Sequence, residues 1–114
     1  AGAVIEVPEH LQDAVTATSG SGPAYFFAFV EAMIAGATNL GLSQADATTL
    51  TIQTLIGAAK LLQETGESPT ALREKVTSPN GTTAAALAAF EKADLAKVVQ
   101  TAMEAAHRRS QELA

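Results

Sequence analysis

Two neighbouring stretches decide the fold: residues 23–40, PAYFFAFVEAMIAGATNL, and residues 44–65, QADATTLTIQTLIGAAKLLQET. The first contains one charged residue, Glu31, and the second contains none between Ala47 and Ala59. A helix that is apolar on every side is buried in protein or lies in a membrane. The small Ala and Gly side chains, the central Glu31 and the lack of a basic flank or aromatic belt argue against a membrane. The two stretches therefore predict two long helices that are buried against protein.

Helix boundary signals organise the sequence around these two stretches. Gly41 and Gly66 are suited to end the two long helices, whereas Ser43 and Ser68 are suited to cap the N-termini of the helices that follow them. We expect an extended lead-in or linker at residues 1–8 and an all-helical domain at residues 9–114. Its six helices should cover about 9–18, 23–40, 44–65, 69–76, 82–92 and 94–113.

The composition supports an all-α fold class and excludes several classes of function. The 114 residues include 25 Ala and only 4% aromatics, which favours closely packed helices over a β-sandwich. No Cys and only two His are present, so we expect no metal site. The net charge of −5 makes nucleic acids and anionic membranes poor partners. Because no signal peptide pattern opens the chain, we expect a cytoplasmic location.

Size and apolar character together predict self-association. A domain of this length has too little interior to hide both nearly uncharged helices, since small domains bury a smaller fraction of their surface. The simplest solution is a second copy of the chain that covers them. We therefore predict an intertwined homodimer.

Two loops could carry chemistry. SGSGP at residues 19–23 has the glycines of a phosphate cradle but lacks an upstream strand and a lysine, so a tight helix–helix corner is the favoured interpretation. Residues 76–83, VTSPNGTT, lead into a helix N-terminus, where free amides and the helix dipole favour an anion such as a carboxylate. The alternative there is ordinary Ser/Thr capping of the helix. We expect Gly81 to adopt a positive φ in this loop.

The remaining polar side chains predict no catalytic centre. The carboxylates are scattered over positions typical of solvated helix faces, and His107 lies beside Arg108 in a last helical turn, where a cation suits the helix dipole. Lys60 lies in an uncharged helix, and we expect its ammonium group to reach solvent. No G-x-G-x-x-G motif follows a strand-like run, so a dinucleotide-binding domain is not encoded in these residues.

Two blocks of sequence resemble a known family. SGSGPAYFF at residues 19–27 and LREKVTSPNGTTAAALAAFE at residues 72–91 are similar to the signatures of pyrroline-5-carboxylate reductase. The resemblance runs from about Glu9 to Ala114. It implies an all-helical C-terminal domain that dimerises, and in some members dimers assemble into larger rings. It also implies a separate N-terminal Rossmann domain, absent from this chain, that binds NADPH or NADH.

The resemblance also implies a site. The substrate carboxylate would bind to Ser78, Gly81 and Thr82, mainly through backbone amides, and the Thr83 hydroxyl would lie near the ring nitrogen as the catalytic positioning group. Pro23 and Val76 would pack against the apolar side of the ring. The family usually has Gly-Gly after Ser-Pro, whereas this chain has Asn80-Gly81, and Asn tolerates left-handed backbone angles.

Three functional hypotheses follow from these observations. In the first, the complete protein reduces 1-pyrroline-5-carboxylate to L-proline, and this chain supplies the dimer interface and the carboxylate loop. We then expect the isolated chain to be inactive and to bind no cofactor. In the second, the chain is a free-standing helical dimerisation module without catalysis. A membrane-associated helix pair, which rests on residues 23–40 alone, is the third.

Overall fold

The computed structural model describes residues 2–114. About four fifths of them are helical, and residues 2–114 contain no β-strand, which confirms the all-α prediction. Residues 2–8 have no regular secondary structure, and residue 1 of the expected lead-in lies outside the described residues. The regular helices are α1 (Gln12–Val15), α2 (Gly22–Asn39), α3 (Gln44–Thr65), α4 (Pro69–Lys75), α5 (Thr82–Lys92) and α6 (Leu95–Leu113).

The predicted boundaries of α3 and the predicted start of α4 are confirmed together with their causes, and α4 ends one residue earlier than predicted, at Lys75. The Ser43 hydroxyl accepts a hydrogen bond from the amide of Asp46 at 3.1 Å, and the Ser68 hydroxyl accepts one from the amide of Ala71 at 3.0 Å. Gly66 ends α3 with a φ of 68°, a left-handed conformation that favours glycine. Local chemistry therefore fixes where these helices begin and end.

The first predicted helix is irregular and extends further than expected. Residues 9–20 form a 3-10 turn at Glu9–Leu11, the four-residue α1, and a π-helical turn at Thr16–Gly20. In that last turn the amide of Ser21 donates to the carbonyl of Thr16 at 2.8 Å. Ser21 alone separates the turn from α2, so SGSGP is a helix–helix corner and not a five-residue break.

The chain divides into two compact units. The first comprises the residues up to Phe27 together with Asp94–Ala114. Within it, α6 packs against α1 and the π-helical turn, and the Ser110 hydroxyl donates to the Asp13 carboxylate at 2.7 Å. This bond joins residues that are far apart in sequence, so it helps to fasten the two ends of the chain to each other.

The second unit comprises Ala28–Ala93, which includes most of α2 and all of α3, α4 and α5. The rings of Phe29 in α2 and Phe90 in α5 lie 6.2 Å apart between centroids, a favourable separation for an aromatic pair. Helix α4 packs against α3, and Lys75 forms an ion pair with Glu67 at 2.5 Å. The ion pair joins the last residue of α4 to the segment that precedes this helix.

The interior of the single chain is very small. Only Ala17, Ala47, Thr51 and Gly22 are buried among the described residues, while large apolar side chains stay open to solvent. Phe26 and Phe27 are 60% and 67% exposed, and Leu50 of α3 is 56% exposed. Large apolar side chains this exposed are typical of a protein–protein interface. Within residues 2–114, no helix has the length and apolar character needed to span a bilayer.

Candidate functional site

The candidate site is the loop between α4 and α5. Helix α4 closes with the amide of Thr77 donating to the carbonyl of Glu74 at 3.1 Å and the Thr77 hydroxyl donating to the carbonyl of Arg73 at 2.6 Å. A turn follows in which the amide of Gly81 donates to the carbonyl of Ser78 at 3.1 Å. These bonds set the path of the chain from the end of α4 to the first residue of α5.

The prediction of a positive φ at Gly81 is wrong. Gly81 has a φ of −86° and a ψ of −177°, which any L-residue can adopt, and Asn80 takes the left-handed conformation with a φ of 59°. Glycine is required at 81 for space. A Cβ there would lie 2.5 Å from the Ser78 hydroxyl oxygen and 3.2 Å from the Ser78 carbonyl oxygen. The turn therefore closes tightly against the backbone of Gly81.

The N-terminus of α5 has free hydrogen-bond donors. Its first intrahelical acceptor is the carbonyl of Gly81, which accepts from the amide of Ala85 at 3.1 Å, and no side chain caps the helix. The amides of Thr82, Thr83 and Ala84 have no acceptor among residues 2–114. Ordinary Ser/Thr capping is thus not what this terminus uses. Three converging N–H groups and the positive end of the helix dipole suit a carboxylate or phosphate.

Three residues with hydroxyl groups and one apolar residue lie close to these amides along the chain. The hydroxyls of Ser78, Thr82 and Thr83 make no hydrogen bond within the described part of the chain, which leaves them available to a ligand. Thr83 is half-buried, whereas Ser78 and Thr82 are exposed. Val76 is 65% exposed and offers an apolar contact. Five of the six predicted site residues therefore lie within one short loop and the first turn of one helix.

Pro23, the sixth predicted site residue, is the second residue of α2 and is exposed. It belongs to the first unit, whereas the α4–α5 loop belongs to the second. Its proximity to the loop stays a prediction.

Polar groups elsewhere do not form a second centre. Residues 2–114 contain no cluster of His, Asp and Glu able to hold a metal ion. Lys60 is exposed, as expected. A cleft of about 430 Å³ in the first unit is lined by Asp13, Thr16, Ser21, Ala106, Arg109, Ser110, Leu113 and Ala114. None of the six predicted site residues lines this cleft.

The tolerance of Asn80 for a positive φ is visible in the sequence, and Asn80 carries the left-handed turn conformation. Sequence reasoning missed one residue that shapes these segments, Tyr25. Tyr25 donates its hydroxyl to the carbonyl of Ala17 at 2.6 Å, across the corner that leads to Pro23. The only hint in the sequence was that Tyr25, the single tyrosine of the chain, follows Pro23 by two residues in SGSGPAYFF.

Comparison with known proteins gives a consistent result over nearly the whole chain. Residues 9–113 match the family model described as pyrroline-5-carboxylate reductase dimerisation. The chain is 50% identical over 112 residues to the pyrroline-5-carboxylate reductase of Synechocystis, covering 98% of this chain and 42% of that protein. It is also 50% identical over 102 residues to that of Pseudomonas aeruginosa, covering 90% and 37%.

Solved structures give the same picture. A Plasmodium falciparum pyrroline carboxylate reductase with NADP bound matches with a TM-score of 0.92 and 33% identity, over 97% of this chain and 45% of that one. A pyrroline-5-carboxylate reductase from Coxiella burnetii matches with a TM-score of 0.92 and 41% identity, over 96% and 40%. The chain spans about two fifths of the length of the curated relatives it matches.

Proposed function

The chain belongs to the pyrroline-5-carboxylate reductase dimerisation family, and on that basis we propose that it is the dimerisation and substrate-binding domain of a pyrroline-5-carboxylate reductase. The complete protein would reduce 1-pyrroline-5-carboxylate to L-proline with NADPH or NADH. The relatives that carry this activity in their names are more than twice as long as this chain, which leaves room for a separate nucleotide-binding domain. The all-helical residues 2–114 contain no strand, so they do not fit a Rossmann-type cofactor site.

The open N-terminus of α5 is the observation that carries the proposal. The amides of Thr82, Thr83 and Ala84 have no acceptor within the described residues, and a carboxylate can accept from them. Hydrogen bonds to a charged group contribute about 1.5–3 kcal/mol each, more than bonds between neutral groups. The helix dipole adds about 0.3–1 kcal/mol for a negative charge at this position. Together these terms are sufficient to hold a small carboxylate in one orientation.

The neighbouring side chains suit the rest of the substrate. With the carboxylate held by the amides, the Thr83 hydroxyl can bond to the ring nitrogen, while Val76 offers apolar contact to the ring. A bound nicotinamide supplies a hydride to the carbon of the C=N bond. Thr83 is too weak an acid to protonate the imine, so its role is to orient the ring and to stabilise the proton on nitrogen. Catalysis by this domain is therefore mainly positioning.

A homodimer is supported by the family and by the exposed surface. The chain exposes 8980 Å², whereas a compact monomer of its mass exposes roughly 5,800 Å². The excess is roughly 3,000 Å² for each chain, or roughly 6,000 Å² for two chains together, which is comparable to the largest interfaces of obligate dimers. Exposed side chains of α2 and α3, such as Phe29 and Ile56, would then be covered by the second copy. Larger assemblies would stack such dimers.

A free-standing, non-catalytic dimerisation module is the alternative. Similarity to relatives named as reductases disfavours it, because the match extends through the α4–α5 loop as well as the apolar helices. A module that only dimerised would have no need for an uncapped helix N-terminus flanked by three unpaired hydroxyls.

The decisive experiment compares two substrates on the complete protein. Purified protein is assayed with NADPH and with NADH, by loss of reduced nicotinamide absorbance and by chemical detection of proline. We expect 1-pyrroline-5-carboxylate to be reduced, and 1-pyrroline, which lacks the carboxylate, to have a kcat/KM lower by about a hundredfold or more, because the charge-assisted hydrogen bonds from the α5 amides are lost. The isolated chain should be inactive with both.

Failure would take two distinguishable forms. Absence of turnover by the complete protein with either cofactor would refute the reductase function. Equal kcat/KM values for the two substrates would leave the reductase function intact and refute the carboxylate site.

A further inference from the structure

Thr77 closes the C-terminus of α4 with two hydrogen bonds. In a regular helix the carbonyl of Arg73 would accept from the amide of Thr77, four residues later. Here that amide donates to the carbonyl of Glu74 at 3.1 Å, and the Thr77 hydroxyl takes its place on Arg73 at 2.6 Å. Thr77 therefore donates to two successive carbonyls, one through its backbone and one through its side chain.

These two bonds set the direction in which the chain leaves α4. The bond to Glu74 tightens the last turn of the helix, and the bond to Arg73 holds the half-buried side chain of Thr77 against that turn. Because a β-branched side chain is stiff at χ1, fixing its hydroxyl also restricts its backbone. Thr54 makes a similar bond of 2.7 Å inside α3, but there the regular helix bonds already hold the backbone.

The path fixed by Thr77 leads directly to the free amides of α5. Residues 78–81 alone separate Thr77 from this helix. The amide of Gly81 donates to the carbonyl of Ser78 at 3.1 Å, and the carbonyl of Gly81 accepts from the amide of Ala85 at 3.1 Å. Hydrogen bonds therefore follow one another from the last turn of α4, through the loop, to the first turn of α5.

The aromatic contact between α5 and α2 lies far from the free amides. It is made by Phe90, whose ring centroid is 6.2 Å from that of Phe29. Phe90 follows Thr82 by eight residues, about 12 Å along the helix. A contact at that distance fixes the far end of α5, so the position of its N-terminus depends on the connection to α4.

We infer that Thr77 is a positioning residue for the carboxylate of the substrate, acting through the α4–α5 loop; the inference rests on the proposed function. The Thr77 hydroxyl donates its proton to Arg73, so its effect on the substrate is indirect. Several N–H groups hold one anion only if they point at the same position, and a displaced helix end weakens several bonds at once. A substrate without a carboxylate is not held to that position and can follow a displaced Thr83 hydroxyl.

The test measures Thr77→Val and Thr77→Ser in the complete protein, with 1-pyrroline-5-carboxylate and with 1-pyrroline. Valine keeps the β-branched shape without the hydroxyl. It should raise the KM for 1-pyrroline-5-carboxylate about three- to tenfold, with kcat and the cofactor KM within twofold of wild type. The kcat/KM for 1-pyrroline should stay within twofold of wild type, so discrimination between the two substrates should fall about three- to tenfold. Serine keeps the donor and should restore KM to within twofold of wild type.

A matched variant separates positioning from the general loss of a hydroxyl–carbonyl bond. Thr54→Val removes the bond of 2.7 Å to the carbonyl of Leu50, inside α3 and away from the loop. It should leave the KM for 1-pyrroline-5-carboxylate and the discrimination between the two substrates unchanged. Circular dichroism and sedimentation should show that both valine variants keep the helical signal and the dimer.

Several results would overturn the inference. An unchanged KM in Thr77→Val would show that its hydrogen bond is irrelevant to binding, and equal losses of kcat/KM with the two substrates would show that it does not act on the carboxylate. Failure of Thr77→Ser to restore KM, or loss of the helical signal or of the dimer in Thr77→Val, would make the residue structural. A wild type that is inactive, or that does not discriminate between the substrates, would refute the proposed function or its carboxylate site. A discriminating wild type with any of the earlier results would refute the role of Thr77 alone.

Discussion

Replacing Gly81 by Ala tests the shape of the carboxylate loop directly. The added Cβ would lie 2.5 Å from the Ser78 hydroxyl oxygen and 3.2 Å from the Ser78 carbonyl oxygen. The backbone itself is not strained by the substitution, because the φ of −86° at Gly81 is open to alanine. The perturbation is therefore purely steric, and it acts on the turn that presents the α5 N-terminus.

We expect Gly81→Ala to have a small effect on stability and a larger effect on substrate binding. The Ser78 side chain has to rotate away and the turn hydrogen bond from the Gly81 amide weakens, a cost of about 0.5–1.5 kcal/mol. Alanine also lowers the conformational entropy of the unfolded chain, which stabilises the folded protein by about 0.4–1 kcal/mol. The two effects nearly cancel, so the melting temperature should change by only a few degrees. A distorted turn also displaces the α5 N-terminus, so that one of its amides loses its charge-assisted hydrogen bond to the carboxylate. This loss costs about 1.5–3 kcal/mol, which corresponds to a ten- to hundredfold rise in the substrate KM.

The assay is steady-state kinetics on the complete protein, paired with thermal unfolding. Gly81→Val should be worse than Gly81→Ala, because its side chain adds bulk at the same contact. Asn80→Gly is the matched control: glycine accepts the φ of 59° found at Asn80, so KM should stay at the wild-type value. Combining Ser78→Ala with Gly81→Ala removes the 2.5 Å contact but keeps the 3.2 Å contact with the Ser78 carbonyl oxygen, so the KM of this double variant should lie between those of Ser78→Ala and Gly81→Ala.

The reasoning fails if Gly81→Ala binds substrate as the wild type does while remaining folded. It also fails if Asn80→Gly raises KM as much as Gly81→Ala, since the effect would then not come from the added Cβ. Strictly additive KM effects of Ser78→Ala and Gly81→Ala would show that the two residues do not collide.

Three shorter predictions concern assembly, catalysis and folding. The isolated chain should sediment at about twice 11.6 kDa at micromolar concentration. The variant Ile56→Asp should yield monomer or unfolded chain. The control variant Ile5→Asp, in the lead-in, should leave the dimer intact. In the complete protein Thr83→Ala should lower kcat/KM by about five- to thirtyfold, the equivalent of roughly 1–2 kcal/mol, without a change in melting temperature; an unchanged kcat/KM would remove Thr83 from the site. Ser68→Ala should lower the free energy of unfolding by about 1 kcal/mol, measured by urea denaturation, because it removes the hydrogen bond to the amide of Ala71; no loss would mean that the cap is unimportant.

Much of the fold could be predicted from the sequence because its causes are local. The helix caps are at Ser43 and Ser68, the left-handed stop is at Gly66, and α2 is nearly uncharged, each as the sequence predicts. These features act within one or two helical turns. The candidate site shares this property: five of its six predicted residues fall in one loop and one helical turn, so their proximity needs no tertiary information. The exposed apolar surface of α2 and α3 likewise follows from composition and size.

Other features depended on the tertiary structure, because the local sequence permits more than one backbone conformation at these positions. Asn80 and Gly81 both tolerate a positive φ, and only the turn closing on Ser78 decides that Asn80 adopts it while Gly81 supplies space. The predicted helix at 9–18 became a π-helical corner, stabilised by a tyrosine eight residues from its acceptor and packed against α6 from the far end of the chain. Amino-acid sequence specified the helices and their caps through short-range hydrogen bonds and apolar periodicity, whereas the path of the backbone between helices was decided by steric contacts and hydrogen bonds that exist only once the chain has folded.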